Sequence, residues 1–357
     1  MSATPSRPLA ALHYFATDRS MPVADFARAA AERGFDAVLL PEHTHIPVST
    51  VAPYPGGGEL PERYRRTLDP YVALAVVAAQ TDLQIGTCIS LVAQHDPIAL
   101  AKTIATLDFM SGGRFSLGVG YGWNAPELAN HGHAAGERRA IVRENVALMR
   151  ALWQDTVAEF HGDHADLSPS WAWPKPAQRP SVPVLLGCRL TPSGYGEIVG
   201  WADGWIGYGS DLDQLAGQVA ALRSRWADAG RTAAGPLIRP MLGIVDDDTL
   251  RRSFERFQSL GVDQVVLDLQ AVEGDILAVL DRYTAALKTV LSSLFILVSH
   301  IDFLGQDAPD PLGFLIVDRA GQCTGDLAVS DDRVGCRGAT TTLRRPARER
   351  PTEFILI

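Results

Sequence analysis

Eight short apolar runs recur along most of the chain, and longer amphipathic stretches separate them. Within each run the apolar residues are nearly continuous and do not alternate with polar ones, which is typical of parallel strands buried on both faces. The pattern predicts strands at residues 9–15, 36–40, 83–92, 114–119, 182–187, 203–208, 237–245 and 262–269.

The stretches between the runs carry helical stripes of apolar residues. Val142, Val146, Met149 and Trp153 fall at positions i, i+4, i+7 and i+11, so they share one face of a helix. The same spacing returns in Leu215, Val219, Leu222 and Trp226, and again in Ile276, Leu280, Tyr283 and Leu287. Strands that alternate with such helices predict an α/β fold, a single (β/α)8 TIM barrel.

Two connections are longer than a compact barrel needs. The loop after the second strand is rich in proline and glycine over 53–61, and loops of this length are usually lids or disordered. An insertion at 155–183, before the fifth strand, is either a rigid surface cover or a functional segment. Beyond residue 288 the helical period fades, so we predict a barrel domain at 1–288 and a C-terminal extension of unknown role at 289–357.

Composition narrows the classes of partner. The net charge of −9 argues against nucleic acid and anionic membranes, which both require a basic surface. The four cysteines are scattered and fit no metal or redox motif, and no apolar leader opens the chain, so we expect a cytoplasmic protein. The expected partner is a small organic molecule, and a homodimer is compatible with this composition.

The stretch from Arg114 to Gly132, RFSLGVGYGWNAPELANHG, concentrates the candidate chemistry. A predicted strand runs into glycines that would let backbone approach a flat ligand. Stacking, hydrogen-bonding and titratable groups follow at the carboxyl end of this strand, where parallel barrels keep their active sites. The candidate residues here are Gly120, Tyr121, Gly122, Trp123, Asn124, Glu127 and His131.

Other predicted strands end in further candidates. The first ends near His13, and the second is followed by Glu42, His43 and His45. The third runs through Thr87, Cys88 and Ile89, where a ring could lie against backbone. Glycines and hydroxyls after the fifth and sixth strands are typical of phosphate sites, with Gly187, Cys188, Arg189, Gly207 and Tyr208 as candidates.

The HxH pair of His43 and His45 also occurs in metal hydrolases built on barrels. Such a site needs further histidines from later strands. The next histidine after His164 is His300, beyond the predicted barrel, so we predict no metal site.

The motifs GVGYGW, NHG, ALW, FHG and WPKPAQRPSVPVLLG occur in this order, and with them the chain resembles the luciferase-like family of flavin- or deazaflavin-dependent oxidoreductases. The likeness covers roughly residues 9–288 and is greatest to the F420-type branch, whose members carry GxGxGW. The resemblance implies a bacterial-luciferase-like barrel that transfers hydride between F420 and an organic substrate. An FMN-dependent monooxygenase is the alternative, and a non-catalytic flavin-binding barrel and a metal hydrolase remain open.

Residue roles follow from this resemblance. His43 would lie beside the reactive carbon of the cofactor, Glu42 would orient it or bind cofactor, and a cis peptide bond near Cys88–Ile89 would back the ring. Sugar-phosphate dehydrogenases of this superfamily have a glutamate, a candidate general acid, where this chain has Trp123. Glu127 lies on the following turn and is only a partial substitute for that glutamate. The family usually carries a doubled glycine where this chain has Gly187-Cys188.

The loop after the second strand holds three arginines, Arg63, Arg65 and Arg66, in an otherwise acidic chain. F420 extends past its phosphate into an anionic glutamate tail, whereas FMN ends at its phosphate. Guanidinium groups bind carboxylates by paired hydrogen bonds. This cluster therefore favours F420 over FMN.

Overall fold

The computed structural model describes residues 7–48, 54–209, 211–232, 234–272 and 274–288, and three short strands near the C-terminus. Up to residue 287 its strands, in chain order, are β1 (Leu9–His13), β2 (Ala37–Leu40), β3 (Gln84–Thr87), β4 (Phe115–Val119), β5 (Ala158–His161), β6 (Asp166–Ser170), β7 (Val184–Gly187), β8 (Gly204–Tyr208), β9 (Leu237–Leu242) and β10 (Gln264–Asp268).

Eight of these strands close into a parallel barrel in the order β1-β10-β9-β8-β7-β4-β3-β2. The first and last strands close the ring, with Leu9 opposite Gln264 and His13 opposite Asp268. All eight coincide with predicted apolar runs, because a strand covered on both faces must be apolar throughout. The predicted (β/α)8 barrel is confirmed.

The helices are α1 (Val23–Glu32), α2 (Pro70–Gln80), α3 (Pro97–Met110), α4 (Ala125–Asn130), α5 (Arg138–Gln154), α6 (Pro192–Trp201), α7 (Leu212–Asp228), α8 (Asp247–Ser259) and α9 (Ile276–Ala286). Aspartates cap several of them. Asp69, Asp96 and Asp246 accept hydrogen bonds from backbone N–H groups in the first turns of α2, α3 and α8, which satisfies donors that the helix leaves unpaired.

Two layers of apolar side chains form the core. Inside the barrel, the cluster consists of Ala11, Ala37, Leu39, Cys88, Leu185, Ile206, Met241 and Val266. Between barrel and helices lie the predicted stripes, and Val142, Leu222 and Leu280 are completely buried.

Both long connections contain ordered structure. In the loop after β2, a 3₁₀-helix forms at Glu62–Arg65 and buries the Tyr64 side chain. In the insertion before β7, β5 and β6 form an antiparallel hairpin. Lys175 anchors this insertion by donating to the carbonyl oxygens of Leu152 and Asp155, which end α5.

The chain divides into two units, and the first, Arg7–Leu287, holds the whole barrel. Of the predicted extension at 289–357, the structure describes β11 (Leu327–Ser330), β12 (Arg333–Cys336) and β13 (Leu343–Arg344), which pair as an antiparallel sheet. The rest of the extension lies outside the described residues. Among the helices of the described part, none combines the length and apolarity needed to cross a membrane.

We propose that the barrel is complete at residue 288. All eight barrel strands and the last barrel helix lie within Arg7–Leu287. A chain shortened to residues 1–288 should therefore keep the cooperative thermal transition of the full chain, measured by circular dichroism. Aggregation, or loss of that transition, would contradict this domain boundary.

Candidate functional site at the barrel mouth

The carboxyl ends of the barrel strands bring most of the predicted site residues to one face. His13 and Tyr208 are the last residues of β1 and β8, and Gly187 ends β7. His43, Cys88 and Gly120 follow β2, β3 and β4. Residues from distant parts of the sequence therefore meet at a single barrel mouth, as parallel strands require.

His43 is held by a carboxylate from another strand-end segment. Its Nδ1 lies 2.8 Å from Oε2 of Glu127, and the backbone N–H of Thr44 donates to Oε1 of the same carboxylate at 3.2 Å. The side chains of His43 and Glu127 are 7% and 0% exposed. A carboxylate can only accept, so Nδ1 is the donor and Nε2 is left to meet a ligand.

This geometry changes the roles expected for the two glutamates. Glu127 in α4 orients His43, and Glu42 does not. The Glu42 carboxylate accepts hydrogen bonds from the Ser90 hydroxyl at 2.7 Å and the Leu91 N–H at 2.6 Å, and its other oxygen lies 2.8 Å from Nε2 of His95. Glu42 is 4% exposed, so it ties the end of β2 to the segment after β3 and is not a solvated carboxylate.

The Glu42–His95 pair is ionic, with Glu42 buried and His95 half-buried. Burial opposes the ionisation of both groups, but their hydrogen bond and mutual charge outweigh it, so the pKa of Glu42 is lowered and the pKa of His95 is raised. The N–H of Leu91 and the Ser90 hydroxyl further stabilise the carboxylate. Sequence reasoning missed His95, because His95-Asp96-Pro97 indicates only a helix start.

The segment after β3 is shaped by its neighbours. The Cys88–Ile89 peptide bond is cis, as the family resemblance implies. A Cβ on Gly118 would lie 2.3 Å from the carbonyl oxygen of Thr87, and one on Gly120 would lie 1.7 Å from Cδ1 of Ile89. Glycine at these two positions therefore makes room for Thr87 of β3 and for the Ile89 side chain just after it. The sequence pattern suggests room for a ligand there instead. A cofactor contact at Gly120 stays a prediction.

Cys88 faces the barrel interior. Its sulfur lies 3.6 Å from the sulfur of Met241. Burial, with the nearby negative charge of Asp268, raises the pKa of the Cys88 thiol. A protonated thiol in an apolar interior is inert, so Cys88 acts through its backbone and its packing.

A third histidine–carboxylate pair lies where the barrel closes. Nδ1 of His13 is 2.8 Å from Oδ1 of Asp268, and the two side chains are 5% and 3% exposed. The Tyr208 hydroxyl donates to Oδ2 of Asp268 at 2.7 Å. Burial raises the pKa of Asp268, but the hydrogen bond and charge of His13 and the Tyr208 hydroxyl outweigh it and hold the pKa at about 2. Sequence reasoning assigned Asp268 no role, because its partners come from β1 and β8.

Aromatic rings line one side of the mouth. The rings of Tyr64 and Trp123 lie 5.3 Å and 5.8 Å from the ring of His43. Phe15 packs against Tyr64 at 4.9 Å and stands 6.1 Å from His13. The Tyr64 hydroxyl donates to Oε1 of Gln270 at 3.2 Å, and Nε2 of Gln270 donates to Asp268. Tyr64 therefore connects the surroundings of both histidines.

The remaining candidates are spread around the mouth. Cys188 is half-buried, and burial raises its pKa to about 11, while Arg189 is exposed. The N-terminus of α6 follows, capped by Thr191, so backbone donors are present next to the predicted phosphate residues.

The candidates after β4 lie elsewhere along the mouth. The Arg139 guanidinium lies 5.0 Å from the Tyr121 ring centre. Gly122 has a φ of 72°, which favours glycine, and Asn124 is buried.

The second histidine of HxH diverges from the first. Nδ1 of His45 lies 2.9 Å from the Thr44 hydroxyl, which also lies 2.9 Å from Nε2 of His131, and Asn130 bonds Nε2 of His45. Burial and the neighbouring His45 lower the pKa of His131. Within the described ranges, no group of three or more His, Cys, Asp and Glu side chains could hold a metal ion.

A cleft of about 390 Å³ opens beside the aromatic rings and is lined by Phe15, Gln270 and three arginines. Arg66 pairs with Glu62 at 2.9 Å and with Asp18 at 2.6 Å, and Arg19 also pairs with Glu62. The Arg63 guanidinium lies over the rings of Phe15 and Tyr64, and no carboxylate of the described residues pairs with it. Arg65 is exposed and does not line the cleft. Arg63 is thus the cation in this cleft that is available to an anion.

We predict a pH-dependent contribution of His95 to stability. Relative to their ordinary values of 4.5 and 6.5, the pKa of Glu42 is lowered and that of His95 is raised in the folded protein. The Glu42 contribution is therefore lost as pH falls below about 4.5, and the His95 contribution is lost as pH rises above about 6.5. His95→Gln should cost about 1–3 kcal/mol between these values and less at pH 9. Urea unfolding of wild type and His95→Gln at several pH values measures the difference in their free energies of unfolding. A difference that does not change with pH would contradict the ionic pair.

Comparison with known proteins agrees with this architecture. The family model of the luciferase-like monooxygenases matches residues 4–257. The protein Rv0953c of Mycobacterium tuberculosis (strain ATCC 25618 / H37Rv) is 42% identical over 266 residues, which are 72% of this chain and 92% of that protein.

Two solved structures share the fold. Monooxygenase RslO1 from Streptomyces bottropensis superposes with a TM-score of 0.63 and 19% identity, over 80% of this chain and 98% of that one. An F420-dependent secondary alcohol dehydrogenase, in complex with an F420-acetone adduct, superposes with a TM-score of 0.64 and 17% identity, over 80% of this chain and 99% of that one. At these identities the likeness establishes the fold alone.

Proposed function

Because this chain belongs to the luciferase-like monooxygenase family, we propose that it is an oxidoreductase that transfers hydride between F420 and a small organic substrate. The observation that carries this proposal is the buried His43–Glu127 pair at the barrel mouth, beside Trp123 and Tyr64. An oriented imidazole among aromatic rings at the carboxyl ends of barrel strands suits a planar, redox-active ring.

The mouth fits such a group. Nε2 of His13 is buried and has no hydrogen-bond partner among the described residues, which indicates that a ligand completes this region. Bound F420 supplies a carbon that accepts or donates hydride, and it does not activate oxygen because carbon replaces the N5 of a flavin. The chain supplies His43, whose Nε2 would protonate the reduced ring or stabilise its charge. The strand-end backbone at Thr87, Cys88 and Ile89 would back the ring.

The phosphate would lie over the last strands of the barrel. Gly187, Cys188 and Arg189 lead into the N-terminus of α6, where Thr191 caps the helix and backbone N–H groups favour anions. Gly207 and Tyr208 end the neighbouring strand. We propose these residues as the phosphate side of the site and Gly120, Tyr121, Gly122, Trp123 and Asn124 as its other wall.

We further propose a homodimer in the cytoplasm. Helices α2 and α3 expose Val72 (69%), Phe109 (59%) and Met110 (72%), and apolar surface of this kind suits a subunit interface. Cys88 and Cys188 are free thiols, which suits a reducing compartment.

A binding titration tests the choice of cofactor. Purified protein is titrated separately with F420 and with FMN, and fluorescence reports the dissociation constants. The proposal expects tighter binding of F420. Tighter FMN binding would support the FMN-dependent monooxygenase of the same fold. Binding of neither would contradict the proposed function.

The cleft arginine provides a second test of this choice. Arg63→Ala should weaken F420 binding by about tenfold in low salt and less in high salt, because its guanidinium is available to an anionic tail. FMN, which lacks the tail, should bind equally to both proteins. Arg65→Ala is the matched control, since Arg65 is exposed outside the cleft. Equal loss in the two variants would argue for a general charge effect and against a tail site.

The role of His43 is tested by its removal. His43→Ala should keep the fold and most of the affinity for F420, while turnover falls by about 10²–10⁴-fold, as expected for a positioned acid or base. His45→Ala removes a neighbouring histidine whose bonds go to Thr44 and Asn130, and it should have a much smaller effect. Wild-type kinetics in His43→Ala would assign His43 to packing.

A further inference from the structure

We propose that the amino end of the barrel binds a small monatomic anion, such as chloride, between Arg239, Ser116 and Gln264. Gln264 is the first residue of β10, Ser116 the second of β4 and Arg239 the third of β9, so all three lie toward the starts of their strands. Barrel enzymes keep their chemistry at the opposite, carboxyl end. The site is therefore separate from the proposed cofactor site, and the inference does not depend on the proposed function.

The three side chains point into the barrel. Alternate residues of a strand face the same side, and Arg239 and Gln264 each lie two residues before a member of the interior cluster, Met241 and Val266. Across the interior, Nη1 of Arg239 donates to the Ser116 hydroxyl at 2.7 Å. The guanidinium therefore reaches from β9 to β4 inside the ring of strands.

The Arg239 guanidinium is a buried cation without a carboxylate partner. Arg239 is 9% exposed, and its Nε is enclosed and has no hydrogen-bond partner among the described residues. Asp263 forms no ion pair with it, and Oδ2 of Asp263 accepts from the Ile238 N–H at 2.6 Å. Burial lowers the pKa of Arg239 to about 10, and the charge of Asp263 offsets this only in part. The guanidinium stays charged at neutral pH, and buried charges are normally paired, so an anion would complete its surroundings.

The Ser116 hydroxyl adds a second donor to this layer. Its oxygen accepts from Arg239, and its own proton goes to no acceptor among the described residues. Gly86 of β3 makes room for this arrangement, because a Cβ there would lie 2.7 Å from Oγ of Ser116. A hydroxyl that accepts from a guanidinium is polarised toward donating its proton to an anion.

The Gln264 amide supplies a third group. Its Oε1 is enclosed without a hydrogen-bond partner, and its Nε2 donates to Oε1 of Gln84 at 3.4 Å. If both amides turn by half a rotation, Gln84 donates to Gln264 instead, and Nε2 of Gln264 takes the unpartnered position as a donor. The layer then presents only donors, which suits an anion because an anion only accepts.

The space and its access favour a single atom. The cleft at the barrel mouth includes none of these residues. The Leu39 side chain would lie 3.0 Å from a Cβ on Gly86, so apolar groups close in on the layer and exclude polyatomic anions. At the strand starts, Gln84 is exposed and Leu9 and Leu237 are half-buried, so an ion can enter from the amino end.

Bromide, an anomalous scatterer of the same charge as chloride, locates the site directly. Crystals of the full chain are grown in sodium bromide, and an anomalous difference map is calculated. We expect a peak in hydrogen-bond contact with Nε of Arg239 and the Ser116 hydroxyl. An ordered water molecule in that place, or bromide at exposed surface positions alone, would overturn the inference.

Thermal unfolding tests the same site in solution. An ion that binds only the folded protein raises its Tm, so wild type should melt about 2–4 °C higher in sodium chloride than in sodium gluconate of equal ionic strength. Arg239→Met, which replaces the cation by an apolar side chain of similar length, should lose this increment. Arg150→Met is the matched control and should keep it, because Arg150 is paired with Asp203 at 2.6 Å.

A milder variant covers the case in which Arg239→Met does not fold. Ser116→Ala keeps the cation and removes one donor, so the chloride concentration that gives half of the increment should rise about 3–10-fold. An equal increment in wild type and in either folded variant would overturn the inference. A protein that responds to chloride as expected but binds no F420 would refute the proposed function alone.

Discussion

The closure of eight parallel strands into a ring is the constraint on which the rest of this structure depends. Parallel strands end at the same face, so residues separated by most of the chain become neighbours there. His13 and Asp268 meet across 255 positions only because β1 pairs with β10 and closes the barrel. The His43–Glu127 pair forms across 84 positions in the same way. The fold thus assembles the site before any ligand is considered.

Carboxylates within the mouth are stabilised by specific partners. Burial alone would neutralise Glu42 and Asp268, yet each accepts enough hydrogen bonds to remain charged. The Glu42–His95 pair stabilises the segment after β3, whereas the other two pairs each place a histidine at the mouth. The three pairs differ in geometry, because Glu42 bonds Nε2 of its histidine, whereas Asp268 and Glu127 each bond Nδ1.

The apolar pattern was sufficient to predict the barrel. A strand buried on both faces leaves a continuous signal in the sequence, and Leu117, Leu185 and Val265, which lie in three of the predicted strands, are completely buried. The predicted ends of the strands were less accurate. The seventh barrel strand, β9, ends at Leu242 and not at the predicted residue 245, because the apolar run continues into the following loop. His43 was found from its position after a strand, since that position alone implies the barrel mouth.

The pairings at the mouth were not predictable in the same way. Sequence proximity favoured Glu42 as the partner of His43, whereas the fold supplies Glu127 from α4. His95 and Asp268 lacked any local signal, because their partners lie on other strands. The glycines after β4 indicate a close approach, but the groups that approach Gly118 and Gly120 are Thr87 of β3 and the Ile89 side chain just after it. Such identities depend on tertiary geometry, which a single sequence does not contain.

A crystal structure of the protein with F420 would locate the cofactor. We predict density for the deazaflavin ring at the barrel mouth, against the Cys88–Ile89 segment and within reach of Nε2 of His43. Density for F420 elsewhere, or a metal ion bound by His43 with the mouth closed to the ring, would contradict it.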